Sequence, residues 1–172
     1  PNREHIVKNR LNRVRDNYDF IVIDCPPSLG LLTVNALTAS DAIVIPIQCE
    51  FYALEGLTQL MNTIKLVKKH LNPNLDVEGV VLTMKDSRSN LINQVSNEIT
   101  TFFGKKVFTT AIPRNVRLAE APSHGVPIGA YDSSSKGAKA YLALAEEILK
   151  RNNMEYENAT KKIKIDEGEN ND

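Results

Sequence analysis

The chain lacks most of the features that announce a function directly. It has no run of roughly 18 consecutive apolar residues, so no membrane-spanning helix is expected. Its opening residues, Pro1-Asn2-Arg3-Glu4-His5, contain no apolar signal region and no initiator Met, which suits a trimmed or fragmentary chain. It has only two cysteines, Cys25 and Cys49, both inside apolar stretches and without metal-ligand spacing. They read as reduced, small core residues of a cytosolic protein, with a disulfide or a reactive thiol as the alternative. The three histidines, His5, His70 and His124, are scattered and make no metal set. No H-E-x-x-H, G-x-S-x-G or C-x-x-C motif occurs. Net charge is also absent, with 21 basic residues balanced by 21 acidic ones. Bulk charge therefore identifies no nucleic-acid binder, and any such site must come from a local cluster.

A further absence concerns phosphate. A phosphate-binding loop of the form G-x-x-x-x-G-K-[ST] cradles phosphates with glycine backbone N–H groups and a lysine. The only Gly-Lys pair here is Gly104-Lys105, followed by Lys106, with Ile99 where the first glycine would stand. These 172 residues contain no such loop.

What is present is an alternation of strand-like and helix-like patterns. Apolar, β-branched runs lie at residues 18–24, 42–47, 77–83 and 106–112; the first is stopped by Pro26-Pro27 and the last by Pro113. Such continuous runs predict strands buried on both faces, as in a parallel sheet. Helical periods occupy residues 3–16, 31–39, 53–70, 91–103 and 136–151, and Gly104 suits the end of the fourth. The order predicts a doubly wound α/β fold with a mostly parallel sheet, in which binding residues gather at the carboxyl ends of strands. The domain is expected over 1–151. From residue 152 onward the sequence is rich in Asn, Glu and Lys, and a disordered polar tail is expected.

Three groups of residues could carry chemistry. The run Ile21-Val22-Ile23-Asp24 delivers one carboxylate at a strand tip, where it could help hold Mg²⁺ beside bound phosphates, often through water. A helix cap or a turn uses the same residue type at the same place. Pro113 sets a turn after the fourth strand, and Asn115 offers an acceptor and donors that suit an adenine edge; an ordinary Pro-Asn turn is the alternative. Arg88, Arg114 and Arg117, with Lys85 nearby, follow the ends of the third and fourth strands. One rim of a parallel sheet could gather them for phosphate contacts, or they are solvated surface charge.

The stretch from Tyr18 to Thr33, which includes Asp24-Cys25-Pro26-Pro27-Ser28, resembles the Walker B and switch II region of the ParA/Soj partitioning ATPases. Further resemblance lies in Ala36-Leu37-Thr38-Ala39-Ser40-Asp41, in Pro46 to Leu57, and most strongly in Ile112-Pro113-Arg114-Asn115-Val116-Arg117-Leu118-Ala119-Glu120-Ala121-Pro122-Ser123-His124-Gly125. It extends from about residue 3 to about residue 151. The resemblance implies the C-terminal portion of a P-loop ATPase domain, incomplete at the N-terminus and without the deviant phosphate loop. It implies ATP and Mg²⁺ as cofactors, with Asp24 as the Walker B carboxylate and Pro113 and Asn115 as the adenine-contacting turn. Arg88 and Arg117 match DNA-binding positions of the family, and Arg114 is an addition beside them. An ATP-dependent homodimer, DNA bound without sequence preference, and a ParB-type centromere-binding partner are implied as well. The expected location is cytoplasmic and nucleoid-associated, with no membrane contact. The chain alone is expected to be inactive. Two further readings stand beside this one: a non-enzymatic DNA- or partner-binding module of the same fold, and a MinD-type relative. The segment 160–167 holds only two large apolar residues, too few for the membrane helix of the latter.

Overall fold

A computed structural model describes residues 2–26, 28, 30–50, 53–86 and 88–154. The tail from residue 155, the 160–167 segment and the Pro26-Pro27 stop at Pro27 lie outside the described residues.

The sheet centres on two parallel strands, β1 (Ala42–Gln48) and β2 (Asp76–Thr83), paired from Ala42↔Asp76 to Gln48↔Thr83 with an irregularity between Ile43 and Val44. Residues 107–113 run along the other edge of β2. They form two isolated parallel bridges, Val80↔Val107 and Lys85↔Pro113, rather than a continuous strand. Between the bridges, the N–H groups of Phe108 and Ile112 donate to the carbonyls of Val80 and Leu82 at 2.9 and 2.8 Å. Further in, helix α7 supplies partners in place of a strand. The Glu147 carboxylate accepts from the N–H groups of Thr109 and Thr110 at 2.8 and 2.9 Å.

Among the described residues, six segments of helix flank this sheet: α1 (Ile6–Leu11), α2 (Leu31–Ala39), α3 (Ala53–His70), α4 (Asn90–Phe103), α5 (Val116–Glu120) and α7 (Lys136–Arg151), with a single turn, α6 (Ile128–Tyr131), before the last. Both sheet faces are covered, as the doubly wound α/β expectation requires. On one face, Val80 and Leu82 pack with Ile64 and Val67 of α3 and with Val95 and Ile99 of α4. On the other face, Val81, Phe108 and Ile112 pack against Ala140, Leu144 and Ile148 of α7. From Gly79 to Leu82, β2 is thus apolar without alternation because it is buried on both sides.

Side-chain caps fix the helix ends. Ser89 accepts from the Ile92 N–H, and Ser135 from the Ala138 N–H at 3.1 Å. α4 stops at Gly104, whose φ of +54° suits glycine. The C-terminal carbonyls of α2 are capped from across the fold, where buried Asn72 donates to Leu37 and Ser40 at 3.0 and 2.7 Å.

Besides the fourth strand, two elements differ from expectation. Residues 18–24 run without ladder pairing, and the side chains meant for a core are open: Val22 is 90% and Tyr18 64% exposed. The physical reason is pairing. A short strand is stable only against a neighbour, and among the described residues β1 pairs with β2 alone. Cys25, expected in the core, is exposed for the same reason, whereas Cys49 is buried and accepts from the Ser96 hydroxyl at 3.3 Å. The helix expected over 3–16 breaks into a 3₁₀ turn (Arg3–His5), α1 and a second turn (Arg15–Asn17). Its apolar stripe is poorly buried, with Ile6 56% and Val14 40% exposed, so burial cannot sustain one long helix that contains Asn9 and Asn12. Buried Asn35 of α2 holds this N-terminal part, donating to the Arg3 carbonyl at 2.7 Å and accepting from the Val7 N–H at 3.3 Å.

Candidate functional site

Asp24 lies on the unpaired segment before α2 rather than at the tip of a sheet strand, with its side chain in solvent. Its carboxylate is close enough to Cys25 to matter electrically. The Cys25 thiol is pushed up first by partial burial and then by the Asp24 charge. Just downstream, the Thr33 hydroxyl in the first turn of α2 donates to the Ser28 carbonyl and ties this loop to the helix. No cluster of three His, Cys, Asp or Glu side chains with metal-binding geometry occurs among the described residues. A single carboxylate of this kind fits Mg²⁺, which keeps several waters and takes its other ligands from phosphate oxygens.

Pro113 and Asn115 stand together at the carboxyl end of the sheet. Pro113 bridges to Lys85, the Lys85 N–H donates to the Ile112 carbonyl at 3.1 Å, and the Arg114 N–H donates to the Lys85 carbonyl at 3.3 Å. This brings the loop after β2 beside the loop after residues 107–113. Asn115 is the N-cap of α5, its Oδ1 accepting from the Arg117 N–H at 2.9 Å. One half of its amide is therefore committed to structure. The Nδ2 group has no protein partner among the described residues and remains able to donate.

The arginines sit in this neighbourhood, each with a distinct setting. Arg88 meets Asp86 through a forked pair, with Nε to Oδ1 and Nη2 to Oδ2 both at 3.0 Å, and its own backbone N–H donates to Oδ1 at 3.1 Å. The Asp86 carboxyl is lowered to about 2, mainly by the Arg88 side-chain bonds, then by the Arg88 N–H, with a smaller contribution from the Arg114 charge. Arg114 is exposed, makes no ion pair among the described residues, and shares the rim with Asp86. Arg117, in the first turn of α5, is held by other carboxylates. Its Nη1 meets Glu120 at 2.9 Å and its Nε lies 3.5 Å from Asp132. Glu120 also accepts from the Tyr131 hydroxyl at 3.2 Å, and the Tyr131 ring stacks on His124 at 4.9 Å between centroids.

Comparison with known proteins gives this geometry its context. Residues 1–77 match a family model described as an AAA domain. Over 146 residues the chain is 63% identical to the sporulation initiation inhibitor protein Soj of Bacillus subtilis, a match covering 85% of this chain and 58% of that protein. It is 57% identical over 150 residues to the chromosome partitioning protein ParA of Myxococcus xanthus, covering 87% of this chain and 53% of that one. The chain belongs to the ParA/Soj family. It spans somewhat more than half the length of these curated relatives. The fold extends beyond the partitioning proteins. Cobyrinic acid a,c-diamide synthase from Mycobacterium smegmatis, solved with an ATP analogue and magnesium, superimposes with a TM-score of 0.73 at 35% identity, covering 87% of this chain and 55% of that one.

Within this ParA/Soj chain, sequence reasoning missed several structural partners. Asp86 is two residues from Arg88 and was readable as an Asx turn. Asp132 is distant in sequence from Arg117, and only the short helices α5 and α6 bring them together. Glu147 and Arg151 read as the polar face of a helix, yet they dock into the sheet edge. Arg151 donates to the carbonyls of Glu78 and Val107, both at 3.1 Å, and lies 3.9 Å over the Phe108 ring. No helix among the described residues is long and apolar enough to cross a membrane.

Proposed function

We propose that this chain supplies the magnesium-side, base-side and DNA-side residues of a chromosome- or plasmid-partitioning ATPase. The observation that carries the reading is the 63% identity to Soj over 146 residues. In this reading Asp24 holds Mg²⁺ at the phosphates, through water. When bound there, Mg²⁺ would supply charge stabilisation at the terminal phosphate. Asn115 turns its Nδ2 donor toward an acceptor on the adenine edge, and Pro113 fixes the turn that presents it. The exposed carboxylate of Asp24 and the free amide donor of Asn115 both support these roles.

The rim of Arg88, Arg114 and Arg117 binds the phosphate backbone of DNA in a copy paired with a second by ATP. A ParB-type protein then stimulates hydrolysis and releases the DNA, in the cytoplasm and at the nucleoid. Backbone contacts by arginine carry no sequence information, which suits binding without sequence preference. The test is gel retardation of an arbitrary duplex by the full-length protein with ATP and Mg²⁺. Replacing Arg88 and Arg117 together by Ala should abolish retardation and leave nucleotide binding intact. Undiminished retardation by the double variant would refute the DNA-side assignment.

A further inference from the structure

Two of the three rim arginines, Arg88 and Arg117, are already occupied. Arg88 offers the Nε–Nη2 edge of its guanidinium to Asp86 in a two-bond fork, the geometry by which guanidinium also grips phosphate. Arg117 is held on one side by Glu120 and approached on another by Asp132. These pairs add little to folding, because surface ion pairs gain little in water. The Arg88 side chain is 89% exposed and that of Arg117 53%. Yet the pairs reduce what each arginine can do for a polyanion, since each cation meets the ligand with a carboxylate already on it.

We propose that Asp86, and with it Glu120 and Asp132, are on-chain competitors for Arg88 and Arg117 of the rim, so that a phosphodiester backbone binds by displacing them. The inference rests on the reading of this rim as a DNA surface. It assigns to Asp86 the setting of affinity. A single phosphate cannot repay the displacement of several carboxylates, whereas a polymer that presents phosphates at regular spacing can. Isolated anions such as inorganic phosphate are thereby disfavoured, and an extended duplex is selected. Asp86 is the most informative position because its carboxylate also accepts the Arg88 backbone N–H, a bond that asparagine keeps. Asp86→Asn therefore removes the charge and preserves the turn.

Fluorescence anisotropy of a labelled duplex of arbitrary sequence, titrated with the full-length protein in ATP and Mg²⁺ across a range of salt, tests this. Four proteins are compared: wild type, Asp86→Asn, Arg88→Ala and the double variant. Asp86→Asn should tighten binding about three- to tenfold at low salt. It should also steepen the fall of log affinity with log salt by about 0.9, the value of one more neutralised phosphate. Both effects should vanish in the Arg88→Ala background. Glu120→Gln should act in the same direction through Arg117. If Arg88→Ala leaves affinity unchanged, the DNA-surface reading itself falls and this inference with it. If Arg88→Ala weakens binding but Asp86→Asn does not strengthen it, competition is refuted and the surface reading stands. Competition is refuted as well if Asp86→Asn strengthens binding equally with and without Arg88.

Discussion

Two glycines of the same chain should answer the same substitution with opposite signs. At Gly79, in the middle of β2, an added Cβ would overlap the Phe108 ring and stand 2.8 Å from both Arg151 Nη1 and the Lys106 carbonyl oxygen. None of the three can yield cheaply. Phe108 is only 3% exposed within the α7-facing core, Lys106 presents backbone, and Arg151 is tied to the Glu78 and Val107 carbonyls. Overpacking of this kind costs about 1–3 kcal/mol, and the upper part of that range applies where a backbone atom is the obstacle. Gly56 lies in the first turns of α3 with nothing within 4 Å of its would-be Cβ. There alanine removes backbone freedom from the unfolded chain and should stabilise by about 0.5–1 kcal/mol. Thermal unfolding of the full-length protein, followed by circular dichroism, reads both. With roughly 2–4 °C per kcal/mol in a protein of this size, Gly79→Ala should lower the midpoint by about 4–10 °C and Gly56→Ala should raise it by a few degrees. An unchanged midpoint for Gly79→Ala would refute the close docking of α7 and residues 106–108 on β2.

Other expectations concern ion pairs. Burial raises the Glu147 carboxyl, but the Thr109 and Thr110 N–H groups, then Arg151, outweigh it and hold it below the usual range. Glu147→Ala should cost about 2–3 kcal/mol by urea unfolding, since it strips two backbone donors of a charged acceptor; a loss below about 0.5 kcal/mol would contradict the sheet-edge role. Asp86, lowered from its ordinary 3.8 to about 2, stays ionised in the folded protein well below the point where an unfolded aspartate protonates. Its contribution to stability is thus fully present above about 3.8 and fades as pH falls through about 2. NMR titration of the Asp86 side chain should place its midpoint near 2 in wild type and move it upward in Arg88→Ala, and identical midpoints would contradict the forked pair.

The elements that sequence reading recovered are those whose signal is local. β1, β2, α2, α3, α4 and α7 each carry a local apolar pattern, reinforced in α4 by Ser89 and Gly104 and in α7 by Ser135, and the structure places them within a residue or so of the expected bounds. The elements it lost depend on partners. Residues 18–24 have strand chemistry but no neighbour to pair with among the described residues. Residues 107–113 obtain only two isolated bridges, and Glu147 of α7 meets the N–H groups of Thr109 and Thr110 between them. The candidate site divides the same way. The adjacency of Pro113 and Lys85 follows from parallel strand order, so the shared rim was readable. The occupation of Arg117 by Asp132 was not, because it depends on how two short helices fold back, and nothing in the apolar pattern encodes that.

The central claim is that Asp24 and Asn115 belong to one MgATP site. Calorimetric titration of ATP into the full-length protein, with Mg²⁺ and with the metal chelated, tests it most directly when wild type is compared with Asp24→Asn and Asn115→Ala. Wild type should bind more tightly with Mg²⁺ than without it. Asp24→Asn should erase that difference, and Asn115→Ala should weaken binding by about tenfold, near 1.4 kcal/mol, in both conditions. Wild-type affinity and metal dependence retained by both variants would contradict the account.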